Sequence, residues 1–118
     1  MTDHLEARAI LAGRPGGDAD LAPVMHPSTT FELESVDEGR AMATSTGSTT
    51  FYSRYGNPSV AAFASAVADL AGAAAARAFA SGMGAIAAVA LALCSTGEHI
   101  VTQNRLYAGT QTPCQSLR

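Results

Sequence analysis

Ser81-Gly82-Met83-Gly84 lies between a short apolar run ending at Ala80 and an alanine-rich stretch reaching Cys94. Extended chain that turns into a helix through two glycines constrains the fold more than any other segment here. The first N–H groups of a helix have no partner within it, and the macrodipole places partial positive charge where they point. Glycine at 82 and 84 lets the backbone approach an anion, and Ser81 can cap the helix or donate its hydroxyl. The junction reads as a phosphate cradle. Any cofactor held there is expected to carry phosphate.

The surroundings predict one β-α-β unit. Residues 76–80 read as a short strand, 83–94 as a helix, Thr96-Gly97 as a turn, and 98–103 as a second strand centred on Ile100-Val101. Such crossovers are right-handed with parallel strands, and ligands bind beyond the strands' carboxyl ends. Ser81-Gly82-Met83 and Leu106-Tyr107 would then share one rim of the sheet, with Tyr107 in reach of a ligand whose phosphate rests on Gly82. Before this unit, Asn57-Pro58 supplies a helix cap and a first helical residue. Val60, Phe63, Ala64, Val67, Leu70 and Ala71 recur at helical spacing, and Gly72 ends the pattern.

Residues 1 to about 50 carry little periodicity. Pro15-Gly16-Gly17, Pro23, Pro27 and the Ser/Thr/Gly cluster at 44–50 describe an extended arm, of the kind that lies on a partner subunit. Asp37, Glu38 and Arg40 read as a solvated helical turn.

Composition bounds the chemistry. The 118 residues suffice for one small domain, but 25 alanines make the 47% hydrophobic fraction a poor measure of core, since alanine loses little surface on burial. The net charge is −3 and all seven basic residues are scattered arginines, so no basic patch suggests nucleic acid. There is no lysine, which excludes a lysine base or a Schiff base through a lysine side chain. Cys94 and Cys114 fit no metal spacing and read as reduced thiols of a cytoplasmic protein; His4, His26 and His99 likewise have no ligand spacing. The amino terminus lacks the basic and apolar regions of a signal peptide. Residues 78–97 are uncharged, yet Ser81, Gly82, Gly84, Ser95 and Thr96 interrupt them, so a buried helix with flanking turns is expected rather than a membrane span.

Two motifs remain. Gly82-Met83-Gly84-Ala85-Ile86-Ala87 fits the dinucleotide pattern G-x-G-x-x-G/A, but Gln103-Asn104 stand where that fingerprint wants an acidic residue for a ribose. Close helix–sheet packing is the structural alternative for the glycines. Phe51-Tyr52-Ser53-Arg54-Tyr55-Gly56-Asn57-Pro58 puts a guanidinium fork, which suits phosphate, two residues from a phenol. A solvent-exposed turn before a helix is the alternative.

Taken together, Tyr52-Ser53-Arg54-Tyr55-Gly56-Asn57-Pro58, Ala80-Ser81-Gly82-Met83-Gly84-Ala85-Ile86 and Leu106-Tyr107-Ala108-Gly109-Thr110 resemble the amino-terminal part of the Cys/Met-metabolism pyridoxal-phosphate enzymes. Pro23 and Pro27-Ser28-Thr29-Thr30-Phe31 resemble an early stretch of the same family, which includes cystathionine γ-synthase, cystathionine lyases, methionine γ-lyase and homoserine-ester sulfhydrylases. The resemblance implies an α/β chain. Residues 1–57 would be an inter-subunit arm, and 58–118 the start of the large cofactor domain of a fold-type I, aspartate-aminotransferase-like enzyme. It implies pyridoxal 5'-phosphate as cofactor, held by Ser81 and by the backbone N–H groups of Gly82 and Met83. Tyr107 would stack on the pyridine ring, while Tyr52 and Arg54 would reach the cofactor phosphate of the neighbouring subunit in a homo-oligomer, a tetramer in the family. Tyr55 occupies a position that varies in the family.

The chain departs from the family at Ala64, at Leu70-Ala71-Gly72 where relatives have Leu-Glu-Gly, and at Leu11 where a histidine is common. It resembles roughly the first third of such enzymes. The Schiff-base lysine, the aspartate facing the pyridine nitrogen and the arginine for the substrate carboxylate lie in the part not represented, and Pro113 begins a tail unlike the family's apolar helix. Three functions follow as expectations: a fragment of a transsulfuration-type enzyme acting by β- or γ-elimination or replacement on sulfur amino acids or homoserine esters; an inactive truncated or frameshifted remnant; and an NAD(P)-binding oxidoreductase domain.

Overall fold

Among the described residues four helices carry the regular structure, and at three of them a polar side chain at the N-cap closes the first turn. The computed structural model of the chain describes residues 4–14, 21–45 and 47–111. Pro15-Gly16-Gly17 of the expected arm, Cys114 and the tail from Pro113 lie outside those residues. The chain forms two compact units, Met1–Ala78 and Phe79–Arg118.

In the first unit α1 spans Leu5–Leu11, α2 Val36–Thr44 and α3 Pro58–Ala71. Helix α1 was not expected in the arm, whereas α2 contains and extends the solvated helical turn read at Asp37, Glu38 and Arg40. For α2 the reason is local: Ser35 accepts from the Glu38 N–H at 3.1 Å, while the Glu38 carboxylate accepts from the Glu34 N–H at 2.6 Å. Both bonds satisfy donors that a helix start leaves unpaired. Helix α3 has the predicted ends. Asn57 caps it through a bond from the Ser59 N–H at 2.9 Å, Pro58 takes the first helical position, and Gly72 at φ 64° leaves in the left-handed region. The Ala73 N–H then bonds to the Ala68 carbonyl at 2.9 Å, closing the helix end in a Schellman arrangement. Helix α1 lies on α3, where Arg8 pairs with Asp69 at 3.2 Å and also donates to the Asp69 carbonyl. Both side chains remain partly exposed, so the pair adds under about 1 kcal/mol.

In the second unit α4 spans Gly82–Leu93, one residue earlier than the predicted helix, and a turn follows at Thr96-Gly97 as expected. Glu98 closes that turn in both directions, its N–H donating to the Ser95 carbonyl at 3.1 Å and its carboxylate accepting from the Ser95 N–H at 2.6 Å. The predicted β-α-β unit is not present among the described residues. Neither 76–80 nor 98–103 makes a ladder bond, and Val101 is 96% exposed. A strand exists only through its neighbour, and here neither segment has one. The expectation of a buried helix also fails among the described residues, because α4 has no buried residue. Its apolar residues run all round, as in a helix enclosed by other elements, yet Val89, Leu91 and Leu93 are exposed. Across the described residues the buried apolar side chain is Ala68 alone, beside buried Asn57 and Thr110.

Candidate functional site

The residues singled out by sequence fall into two groups, one in each unit. In the first unit the turn 51–57 is bound to the stretch 24–31. Thr30 and Tyr52 form an antiparallel bridge, the Ser53 N–H donates to the Thr29 carbonyl at 2.8 Å, and the Phe31 N–H donates to the Phe51 carbonyl at 3.4 Å. Side chains complete the attachment. The Ser53 hydroxyl donates to the Ser28 carbonyl at 2.6 Å, and the Asn57 amide donates to the His26 carbonyl at 2.9 Å and contacts Ser53 Oγ at 3.3 Å. Ser59 Oγ accepts from the His26 N–H at 2.8 Å. Asn57, 8% exposed, is thus both the cap of α3 and the hub that fixes the turn. The sequence reading assigned it the cap only.

The Tyr52-Ser53-Arg54-Tyr55 turn then closes on itself, with the Tyr55 and Gly56 N–H groups both donating to the Tyr52 carbonyl. Arg54 is exposed, and its guanidinium carbon lies 4.8 Å from the centre of the Tyr52 ring and 5.9 Å from that of Tyr55. Among the described residues Arg54 has no carboxylate partner, unlike Arg8 and Arg40, which pair with Asp69 and Asp37. A groove of about 650 Å³ in this unit, lined by Gly13, Arg14, Pro23, His26, Pro58 and Ala62 among others, includes none of the predicted site residues.

In the second unit Ser81 caps α4, its Oγ accepting from the Gly84 N–H at 3.0 Å, and the Ala85 N–H donates to the Ser81 carbonyl at 3.1 Å. Among the described residues the N–H groups of Gly82 and Met83 have no acceptor, which leaves two amides and the Ser81 hydroxyl proton at the helix mouth. The two glycines differ. A Cβ at Gly84 would stand 3.1 Å from Ser81 Oγ, so its absence makes room for the cap, whereas a Cβ at Gly82 would meet nothing within 4 Å. No side chain therefore crowds Gly82. Two N–H groups and a hydroxyl at a helix start suit an oxyanion such as phosphate.

The segment bearing Tyr107 belongs to the same unit. The Thr110 and Gln111 N–H groups donate to the Tyr107 carbonyl, which opens a turn of helix at residue 108. Thr110 is 7% exposed and its hydroxyl points at the Met83 sulfur, 3.5 Å away. This contact links the segment to the mouth of α4 without the predicted sheet. The Tyr107 ring is exposed and lies over the bare Cα of Gly109, where a Cβ would be 2.5 Å from Cε1. Gly109 and Thr110 were legible only as parts of a motif. Among the described residues no cluster of three or more His, Cys, Asp or Glu could hold a metal, and no helix is long and apolar enough to cross a membrane.

Comparison with known proteins places these residues in context. Residues 9–118 match the family model described as Cys/Met metabolism PLP-dependent enzyme. The chain is 36% identical over 110 residues to O-acetyl-L-homoserine sulfhydrylase of Corynebacterium glutamicum, covering 91% of this chain and 25% of that protein. It is 37% identical over 90 residues to L-methionine gamma-lyase of Pseudomonas deceptionensis, covering 76% and 23%. It is 46% identical over 59 residues to O-succinylhomoserine sulfhydrylase of Pseudomonas aeruginosa, covering 50% and 15%. The chain therefore spans about a quarter or less of the length of these relatives. No solved structure matches it.

Proposed function

Because the chain belongs to the Cys/Met metabolism PLP-dependent enzyme family, we propose that it provides the phosphate-binding and ring-stacking part of a pyridoxal-phosphate enzyme of the transsulfuration type. The assembled enzyme would act by β- or γ-elimination or replacement on sulfur amino acids or homoserine esters, in line with the sulfhydrylase and γ-lyase relatives. The observation that carries this reading is the start of α4, where among the described residues the Gly82 and Met83 amides have no acceptor and nothing lies within 4 Å of a Cβ at Gly82. There the Gly82 and Met83 N–H groups and the Ser81 hydroxyl would hold the phosphate, and the Tyr107 ring would cover one face of the pyridine. Tyr52 and Arg54, carried on the arm 1–57, would hold the phosphate bound by a neighbouring copy, one reason for a homo-oligomer. Bound pyridoxal phosphate supplies an electron-accepting ring for charge that develops on the substrate. This chain's residues bind and orient; these 118 residues include no lysine that could join covalently to the cofactor.

Gly82→Asp separates the role of the cradle from that of the helix. An acidic residue in the first turn of α4 favours the helix dipole by about 0.3–1 kcal/mol, but it sets a negative charge where the phosphate must sit. Pyridoxal phosphate titrated into the chain should shift the cofactor absorbance, and Gly82→Asp should weaken that binding by roughly tenfold or more, about 1.4 kcal/mol, with helicity unchanged or higher. Binding of NAD in place of pyridoxal phosphate would favour the oxidoreductase alternative and overturn the reading.

A further inference from the structure

The geometry points to Tyr55 as a positioning residue that, with Tyr52, holds the Arg54 guanidinium by its faces so that its N–H edge stays open to an anion. It rests on the reading that Arg54 serves a phosphate. An arginine can be ordered in two ways. A carboxylate partner orders it by consuming its in-plane N–H donors, as Asp37 does for Arg40 and Asp69 for Arg8. An aromatic ring orders it through the face and leaves all five donors in the plane available. Arg54 has the setting for the second way: its guanidinium carbon lies over two rings, 4.8 Å from the Tyr52 ring centre and 5.9 Å from that of Tyr55, and among the described residues no carboxylate pairs with it.

The second ring is itself supported. Tyr55 packs on Phe51, with ring centres 5.9 Å apart and planes tilted by 53°. Its backbone is fixed by the bond from its N–H to the Tyr52 carbonyl at 2.9 Å. Next to it Gly56 lies so close to the 48–49 backbone that a Cβ would come within 2.6 Å of the Ser48 carbonyl oxygen. Phe51, Tyr55, Arg54 and Tyr52 therefore form one chain of contacts on a turn pinned at both ends. An arginine held in advance loses less freedom when it takes up a bidentate phosphate.

The test follows the Arg54 Nε–Hε resonance in the nitrogen-15 spectrum of the full chain, in wild type, Tyr55→Phe and Tyr55→Leu, first without ligand. The Ser53 amide, bonded to Thr29, reports the fold of the turn in each variant. Wild type and Tyr55→Phe should share a displaced Arg54 resonance with slowed exchange, and Tyr55→Leu should return it to the position of a free arginine while the Ser53 amide holds. Pyridoxal phosphate then serves as the anion probe, and Tyr55→Leu should weaken its effect on Arg54 roughly two- to fivefold. An Arg54 resonance identical in wild type and Tyr55→Leu would overturn the assignment. A displaced resonance that needs the ring at 55, in a chain that pyridoxal phosphate does not perturb, would uphold the clamp and sink the cofactor reading instead.

Discussion

The turn 51–57 and the mouth of α4 are both read as binding phosphate, yet each is held in place differently. The turn is pinned by polar contacts distant in sequence, Asn57 reaching residues 26 and 28 and Ser53 reaching 28 and 29. The mouth of α4 is shaped mainly by its own neighbours, Ser81 bonding to Gly84 three residues on, and among the described residues Thr110 supplies the one distant polar contact, through a sulfur. A buried amide with several partners resists loss because each group left unpaired costs about 1–3 kcal/mol. A twelve-residue helix with no buried side chain is near the limit of what propensity and a cap sustain. The first arrangement fixes side chains on a frame of carbonyls. The second leaves backbone amides exposed where an anion can meet them.

Asn57→Ala should have the largest effect and confine it to the first unit. It removes the α3 cap, about 1 kcal/mol, and the bond to the carbonyl of exposed His26, about 0.5–1.5 kcal/mol more. Amide exchange should then accelerate at Phe31, Ser53 and Ser59 and stay unchanged along α4. Asn57→Asp, which keeps the acceptor for the Ser59 N–H and loses the donors, should fall between. Equal acceleration in α4 would show that the two units unfold together, and the contrast drawn above would fail.

Ser81→Ala should reverse the pattern at smaller amplitude. Losing the bond to the Gly84 N–H costs about 1 kcal/mol, a modest sum that weighs heavily on a helix with so little packing. Circular dichroism should report lost helix, and exchange should rise at Gly84 and Ala85, with the Ser53 amide untouched. Ser81→Asp should restore the helix. Helicity indifferent to Ser81→Ala would mean that α4 is held by packing, not by its cap.

These expectations mark what was legible in the sequence. Helix α3 was readable at both ends because its cap, its proline and its glycine act within a few residues of one another, and the start of α4 was readable through Ser81 for the same reason. The second role of Asn57 was not, since a side-chain amide carries no sign of which carbonyl about thirty residues away it will meet. The strands at 76–80 and 98–103 were expected from apolar runs bounded by turns, a pattern that marks a segment suited to pairing but supplies no partner. Helix α1 was missed because its seven residues are too short to show a helical period, and no polar side chain caps its start. The cradle's residues were recognised by motif, while Gly109 and Thr110, which set the Tyr107 segment, carry no signal beyond it.

Gly109→Ala offers the smallest and most local effect, and it asks whether the second unit also fixes a side chain through contact. A Cβ at 109 would stand 2.5 Å from Tyr107 Cε1, 3.2 Å from Cδ1 and 3.3 Å from Cζ, so the exposed ring must swing away. The ring is the free end of a flexible side chain, and the swing costs little; stability should change by less than about 0.5 kcal/mol. Its signature is magnetic. In the wild type the Gly109 α-protons lie beside the ring and should resonate away from their random-coil positions, and Tyr107→Leu should return them there. In Gly109→Ala the Tyr107 ring protons should shift while the Met83 methyl, on the other side of Thr110, holds its place. Unshifted ring protons would mean that the ring already samples many orientations, and the only preset aromatic surface of the two regions would then be that around Arg54.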